Sequence, residues 1–188
     1  MVPILEVPSV RRQAMPISVE TYHALGLQGM VEERTELLRG VIVEKIGKSP
    51  LHEYIASALF QMLLSKAGDD WVVRKEAPLT FVDSEPEPDI AVVAGSPAQF
   101  RLEHPRNAQL VIEVAVSSAE IDREKASIYA EAGVPEFWLV LPAAKAVEVW
   151  SSPARGTYTE RRELGPLDVL TCGALPGLKI DLNSLFSE

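Results

Sequence analysis

The sequence predicts an α/β or α+β fold, a mixed β-sheet with helices packed against it. Two observations lead there. Strand-like apolar segments occur both in pairs joined by short turns and singly, separated by segments of helical spacing. The chain also has the size and composition for one core. It has 188 residues, 47% hydrophobic and 24% charged, and a single domain spans roughly 100–200 residues. Residues 18–188 are expected to form that domain, with residues 1–17 as a flexible or edge-packed arm.

The elements follow in order. Residues 18–29, SVETYHALGLQG, read as a short helix with Ser18 as N-cap and Glu20 in the first turn. In ELLRGVIVEKI, residues 36–46, the Arg39-Gly40 pair marks a turn between two apolar runs, which fits a strand or hairpin. Residues 52–68 have helical spacing: Ile55, Leu59, Met62 and Leu63 fall on one face, and Gly68 suits a terminator. The segments 71–81, 89–95 and 108–118 are strand-like. Residues 119–133 form a second helical stretch, again ended by a glycine. EFWLVLP (136–142) and KAVEVW (145–150) predict a hairpin. The last part alternates weakly over 157–164, 167–172 and 178–182, punctuated by Pro166, Pro176 and Gly177.

Bulk chemistry narrows the function. No apolar run approaches the roughly 20 residues that span a bilayer, so no membrane partner is expected. The Pro-broken N-terminal stretch lacks a signal-peptide layout. Cys172 is the sole cysteine, so neither an internal disulfide nor a cysteine-based zinc site is available. A cytoplasmic location is the simplest expectation. The formal net charge of −9 argues against a bulk polyanion binder. It does not argue against an enzyme whose acids surround a metal, because a bound cation offsets them locally.

Two acids stand in strange places. Asp89 closes SEPEPD and opens an apolar strand; Glu113 lies in the middle of QLVIEVAVSS. Strand side chains alternate in direction. Val111, Glu113, Ala115 and Ser117 therefore share one face, and Leu110, Ile112, Val114 and Val116 the other, which is core. Asp89 shares a face with Ala91 and Val93. An unpaired buried carboxylate costs several kcal/mol or takes up a proton, so Glu113 requires a cation, a donor or water. Two such acids on neighbouring strands are suited to one divalent cation, since Mg²⁺ is commonly held by one or two carboxylates plus waters. The competing structural readings are an Asx-type cap at Asp89 and a satisfied ion pair at Glu113.

The helix adds a third group. Ile121, Lys125, Ile128 and Ala132 recur on one helical face, the stripe expected to bury, with Asp122, Arg123 and Glu124 facing solvent. An inward lysine requires an anionic partner; the alternative is a lysine that snorkels outward toward Asp122 or Glu124.

The order Asp89, Glu113, lysine resembles the PD-(D/E)xK nuclease superfamily. The nearer resemblance is to its Uma-type branch of restriction-endonuclease-like proteins. It is carried by ELLRGVIVEK (36–45), SPLHEYIASALFQML (49–63), EPDIAVV (87–93), the stretch from LVIEV to PEFWLV (110–140), VEVW (147–150) and LPGLKIDLNSLF (175–186). The resemblance implies a restriction-endonuclease-like core and a Mg²⁺-dependent endonuclease acting on DNA, with Mn²⁺ able to substitute. Asp89, Glu113 and the backbone carbonyl of Val114 would hold the metal. The superfamily's usual lysine, two residues after the second acid, is replaced here by Ala115. The branch carries a lysine in the following helix, so the resemblance implies that Lys125 is a migrated catalytic lysine. Glu36 matches an auxiliary acid and His52 a histidine at the start of the long helix, able to contact phosphate or the acids. Tyr129 reads as packing, and Phe137 and Trp138 as strand core. His23, His104 and Cys172 suggest no role.

The other class of reading is a catalytically silent nuclease-fold protein, a dimeric binding or scaffold module whose acids form a structural ion cluster. The basic residues are scattered: Arg11, Arg12, Arg34, Lys45, Lys48, Arg74, Lys75, Arg101, Arg106, Arg161 and Arg162. Their convergence on the Asp89–Glu113 side would favour the nuclease. No separate DNA-recognition domain is visible, so a homodimer is expected, with apolar C-terminal edge strands as the contact.

Overall fold

A six-stranded mixed sheet carries the fold. The structure, a computed structural model, describes residues 8–11, 13–45, 47–173 and 175–187, at Arg11 the backbone only. The elements in chain order are α1 (Pro8–Arg11), α2 (Val19–Leu27), β1 (Thr35–Leu38), β2 (Val41–Glu44), α3 (Pro50–Leu64), β3 (Trp71–Lys75), β4 (Ile90–Ala94), β5 (Leu110–Val114), α4 (Ala119–Glu131), β6 (Glu136–Leu141), β7 (Ala146–Ala154), β8 (Thr157–Leu164), β9 (Val169–Thr171), β10 (Lys179–Asp181) and α5 (Leu182–Phe186). The central sheet runs β3-β4-β5-β6-β7-β8. All its neighbours are antiparallel except β5 and β6. Two parallel strands need a crossover, and α4 supplies it.

Both faces of the sheet are covered. Ile90, Val92, Leu110, Ile112, Val114, Trp138 and Val140 pack on Ile55, Ala56, Leu59 and Leu63 of α3 and on Leu182, Leu185 and Phe186 of α5. The opposite face presents Ala91, Val93, Val111, Ala115, Phe137 and Leu139 to Ala126 and Tyr129 of α4. A strand enclosed on both sides needs no polar face, which is why all five residues of β5 are buried. Phe137 and Trp138 are core, as expected.

The Arg39-Gly40 turn closes a hairpin of β1 and β2 that stays outside the central sheet. Arg39 and Gly40 both have positive φ, 49° and 74°, the conformation of the tight primed turns that suit strand twist. Gly40 is required for space as well. A Cβ there would lie 2.3 Å from Pro16 Cβ and 2.8 Å from the Ile17 carbonyl. A bridge between Leu37 and Glu85, with hydrogen bonds from Gly40 N to the Asp83 carbonyl and from Arg39 N to Ser84 Oγ, ties the hairpin to the segment leading into β4.

Several expected boundaries move. The strand expected over 71–81 ends at Lys75, because Glu76 turns into the left-handed region at φ 49° and its N–H goes to the Asp89 carbonyl. The long helix starts earlier than expected, at Pro50, with Ser49 Oγ accepting the His52 N–H. It stops at Leu64 on a Ser65 cap, so Gly68 is not its terminator. Residues 178–182 divide between β10 and the first turn of α5, a helix that the weak alternation there concealed. Ser18 caps α2 as expected. Within the expected arm, Pro8–Arg11 form a helical turn and residues 13–17 are irregular, with the Ile17 N–H donating to the Gly40 carbonyl; residues 1–7 and Arg12 of that arm, and Ile46 of the hairpin reading, lie outside the described residues. The open edge of the sheet, β8, is not apolar: it carries Glu160, Arg161, Arg162 and Glu163, charges of the kind that discourage edge-to-edge pairing. Exposed apolar side chains in this region sit instead at Leu167 and Val169.

Candidate active site

The last β4–β5 pair in register is Ile90 with Ile112, so one step further the chain sets Asp89 opposite Glu113. Both are buried, at 5% and 4% exposure. β5 continues to Val114 while β4 has ended, which leaves the Val114 N–H without a ladder partner on that side. Asp89 takes it: its Oδ2 accepts from Val114 N at 2.8 Å and from His52 Nε2 at 2.9 Å. The Asp89 N–H in turn points at Glu113 Oε2, 3.4 Å away. His52 reaches this point because it stands in the first turn of α3. Its Nδ1 is buried with no partner among the described residues.

Helix α4 supplies the other side. Lys125 is buried and its ammonium lies 2.9 Å from Glu36 Oε1, 3.2 Å from Glu113 Oε1 and 3.6 Å from Asp122 Oδ1. One turn on, the Tyr129 hydroxyl donates to Glu113 Oε1 at 2.7 Å. Glu36 arrives on the β1–β2 hairpin, where its Oε2 accepts the Glu87 N–H at 3.2 Å. Asp122 is not solvent-facing as the helical reading expected. It is 5% exposed because the buried stripe of α4 is wide enough to take in both Asp122 and Lys125, three residues apart. Ser118 Oγ donates to its Oδ2 at 2.5 Å.

The electrostatics follow from three buried acids around one buried ammonium, with a fourth buried acid, Asp89, beside them. Burial, reinforced by Asp122, Asp89 and Glu36, pushes the Glu113 carboxyl up to about 8 even though Lys125 draws it down. Burial raises Asp122 as well. For Lys125, the attraction of Glu113, Glu36 and Asp122 outweighs burial, and its ammonium holds its proton above the usual lysine range. Asp89 goes the other way. Its burial penalty is more than offset by His52, Lys48 and the Val114 N–H, leaving it below the ordinary carboxylate value.

These groups line one cleft of about 100 Å³, together with Lys45, Lys48, Ser117 and Ser118. A larger hollow of about 540 Å³ beside Thr80, Val82, Arg106 and Glu131 contains none of the acids just described. The donor set suits a hard divalent cation: oxygens from Asp89 and Glu113, with Val114 at the cleft wall. Among the described residues, no three His, Cys, Asp or Glu side chains converge as a full metal cage.

Asp89, Glu113, Val114, Lys125, Glu36 and His52, singled out from the sequence, thus all meet at this cleft. Ala115 is buried on the Glu113 face, and the Lys125 ammonium approaches Glu113 from the helix above it. Three participants were missed. Tyr129 does pack, between Phe81 and Phe137, but it also holds Glu113; its spacing of four from Lys125 was the available signal. Asp122 was assigned to solvent. Lys48 was one of many scattered bases, and its place on Asp89 is a tertiary contact. Of the other bases, Arg161 lies over Trp150 and Arg74 over Phe100, outside the set lining the cleft. His23 pairs with Glu85, again outside it. No helix among the described residues is long and apolar enough to cross a membrane.

Comparison with known proteins agrees with this architecture. The crystal structure described as "a putative nuclease belonging to DUF820 from Anabaena variabilis ATCC 29413" superposes with a TM-score of 0.74 at 19% identity, over 91% of this chain and 98% of that one. The fold is thus the restriction-endonuclease-like one, a mixed central sheet flanked by helices. No curated protein matches the sequence. The profile of the Uma2 family, described as "Putative restriction endonuclease", matches residues 19–183. A match over that much of the chain makes this protein a member of the Uma2 family.

Proposed function

We propose that the protein is a Mg²⁺-dependent endonuclease that hydrolyses DNA phosphodiester bonds at this cleft. The observation that carries the reading is the surplus of buried acid: Glu36, Glu113 and Asp122 surround one buried ammonium, Lys125, and a fourth buried acid, Asp89, stands opposite Glu113. A cluster with that imbalance attracts a cation. Asp89, Glu113 and the Val114 carbonyl would hold Mg²⁺, and Mn²⁺ would substitute. When bound, the ion supplies Lewis acidity toward a phosphoryl oxygen and lowers the pKa of water.

The chain's own residues do the rest. Lys125 orients the attacking water and offsets negative charge developing on the phosphate. Glu36 and Asp122 keep that ammonium charged and fixed. His52 and the Val114 N–H hold the Asp89 carboxylate in one orientation and ionised. The metal-ligating and lysine roles are inferred from position and chemistry together with membership of the family. A closed two-fold homodimer is the assembly we favour, being the commonest soluble one; sedimentation that gives monomer at every concentration would remove it.

The competing reading is a silent ion cluster in a binding or scaffold module. It is favoured by the completeness of the pairing, since each of the four acids already has a donor or cation. Calorimetric titration with Mn²⁺ and Mg²⁺ separates the two. Binding by the wild type that is lost in Glu113→Gln is expected, followed by metal-dependent cleavage of duplex DNA that is lost in Asp89→Asn and in Lys125→Ala. Cleavage surviving both changes would sink the site assignment. Absence of binding with and without duplex DNA would leave the scaffold.

A further inference from the structure

Asp89 has two carboxylate oxygens in different situations. Oδ2 is used by His52 and by Val114 N. Oδ1 is met by Lys48, whose ammonium lies 3.1 Å away. Lys48 comes from the connection between β2 and α3, not from a regular element. Its side chain is 34% exposed, against 7% for Lys125. The two lysines of the cleft are therefore held differently. Lys125 is locked among three acids, whereas Lys48 sits at the cleft wall with water on one side.

We propose that Lys48 is a displaceable counter-ion: it occupies the coordinating oxygen of Asp89 in the metal-free protein, and a divalent cation takes that place from it. The inference rests on the metal-dependent reading above. Three features support it. The Oδ1 oxygen is the one not consumed by the fold, so it is the one open to a ligand. The lysine end of the pair is part-exposed, so its ammonium has water to turn to when it leaves the buried carboxylate. Its loss also strands no other acid, because Glu76, the second partner of Lys48 at 3.1 Å, is paired with Lys75 at 3.6 Å as well. Lys48 thus balances the charge of the acid cluster when no metal is present, and in doing so sets the concentration of metal at which the site fills.

Lys45 provides the control. It lines the same cleft but pairs with Glu87 at 2.9 Å. The experiment is calorimetric titration of Mn²⁺ into wild type, Lys48→Met, Lys45→Met and Glu113→Gln, without nucleic acid and at low ionic strength. Removing a competing positive charge at contact distance is expected to tighten Mn²⁺ binding about tenfold in Lys48→Met. In Lys45→Met the change stays within about twofold. Urea melts confirm that each variant is folded, and Lys48→Gln carries the same test if Lys48→Met is not. Wild-type binding that Lys48→Met leaves unchanged or weakens overturns the inference alone. Equal tightening in Lys45→Met also overturns it, because the effect would then be general charge. Absence of Mn²⁺ binding in wild type and Lys48→Met alike overturns the metal reading, and the inference with it.

Discussion

Replacing Lys125 with methionine keeps the length of the stem and removes the charge. The ammonium lies within 3.6 Å of Glu36, Glu113 and Asp122, and all four side chains are at most 7% exposed. Breaking a buried pair by removing one partner costs about 3–5 kcal/mol, because the remaining charge is left uncompensated. For a chain of this size that is a fall in Tm of about 6–20 °C. The sign of the pH dependence follows from the acids. The Glu113 carboxyl is already raised to about 8 by burial with Lys125 present; without it, the folded acids hold protons still more tightly. Above the ordinary carboxylate range the unfolded chain has released those protons and the folded one has not. Stability of the variant then falls as pH rises. Wild type shares the Glu113 part of that slope until its own carboxyl ionises near pH 8, so the deficit is expected to widen most steeply as pH rises through about 8 to 9, read by urea or thermal melts in metal-free buffer. A second substitution, Glu113→Gln, should recover much of the loss, and the double-mutant cycle should show strong coupling. Lys125→Met within about 1 kcal/mol of wild type at pH 8, or a deficit flat from pH 5 to 9, would refute the claim that the cluster depends on this ammonium.

Two further outcomes follow from named contacts. Tyr129→Phe deletes the hydroxyl that donates to Glu113 at 2.7 Å while keeping the ring; with the Glu113 carboxyl raised to about 8, a loss of about 0.5–1.5 kcal/mol is expected at neutral pH, and a variant as stable as wild type in urea would show that Tyr129 contributes through packing alone. Glu148 is buried beside Arg123 at 2.6 Å and Arg161 at 2.9 Å; its burial penalty is more than offset by those guanidiniums, leaving its carboxyl below the ordinary value of 4.5. Its contribution is present above pH 4.5 and lost as pH falls through the depressed value, so the stability gap between wild type and Glu148→Gln should close in acid, and a gap that persists unchanged to pH 3 would assign it to packing instead of charge.

The inward acids were legible because direction along a strand is a local property. Alternation alone places Glu113 among Val111 and Ala115, and Asp89 among Ala91 and Val93, whatever the rest of the chain does. Helical spacing likewise turned Lys125 toward the sheet. The same rule, applied too narrowly, put Asp122 in water and left Tyr129 as packing, although residues three and four apart share a face. Boundaries were less legible. The end of β3 at Glu76 depends on that residue donating its N–H to the Asp89 carbonyl, and α5 takes its order from burial of Leu182, Leu185 and Phe186 against the sheet. The meeting of the groups belongs to tertiary structure alone. Glu36 is 89 residues from Lys125 in sequence and reaches it because the hairpin is pinned beside β4 by the Leu37–Glu85 bridge and by hydrogen bonds from Gly40 N to the Asp83 carbonyl and from Arg39 N to Ser84 Oγ. Lys48 is placed on Asp89 by the way the β2–α3 connection is laid against the end of the sheet. Periodicity determines which way a side chain faces, because it depends on neighbours a few bonds away. Which side chain it meets depends on how distant elements pack, and no local pattern encodes that.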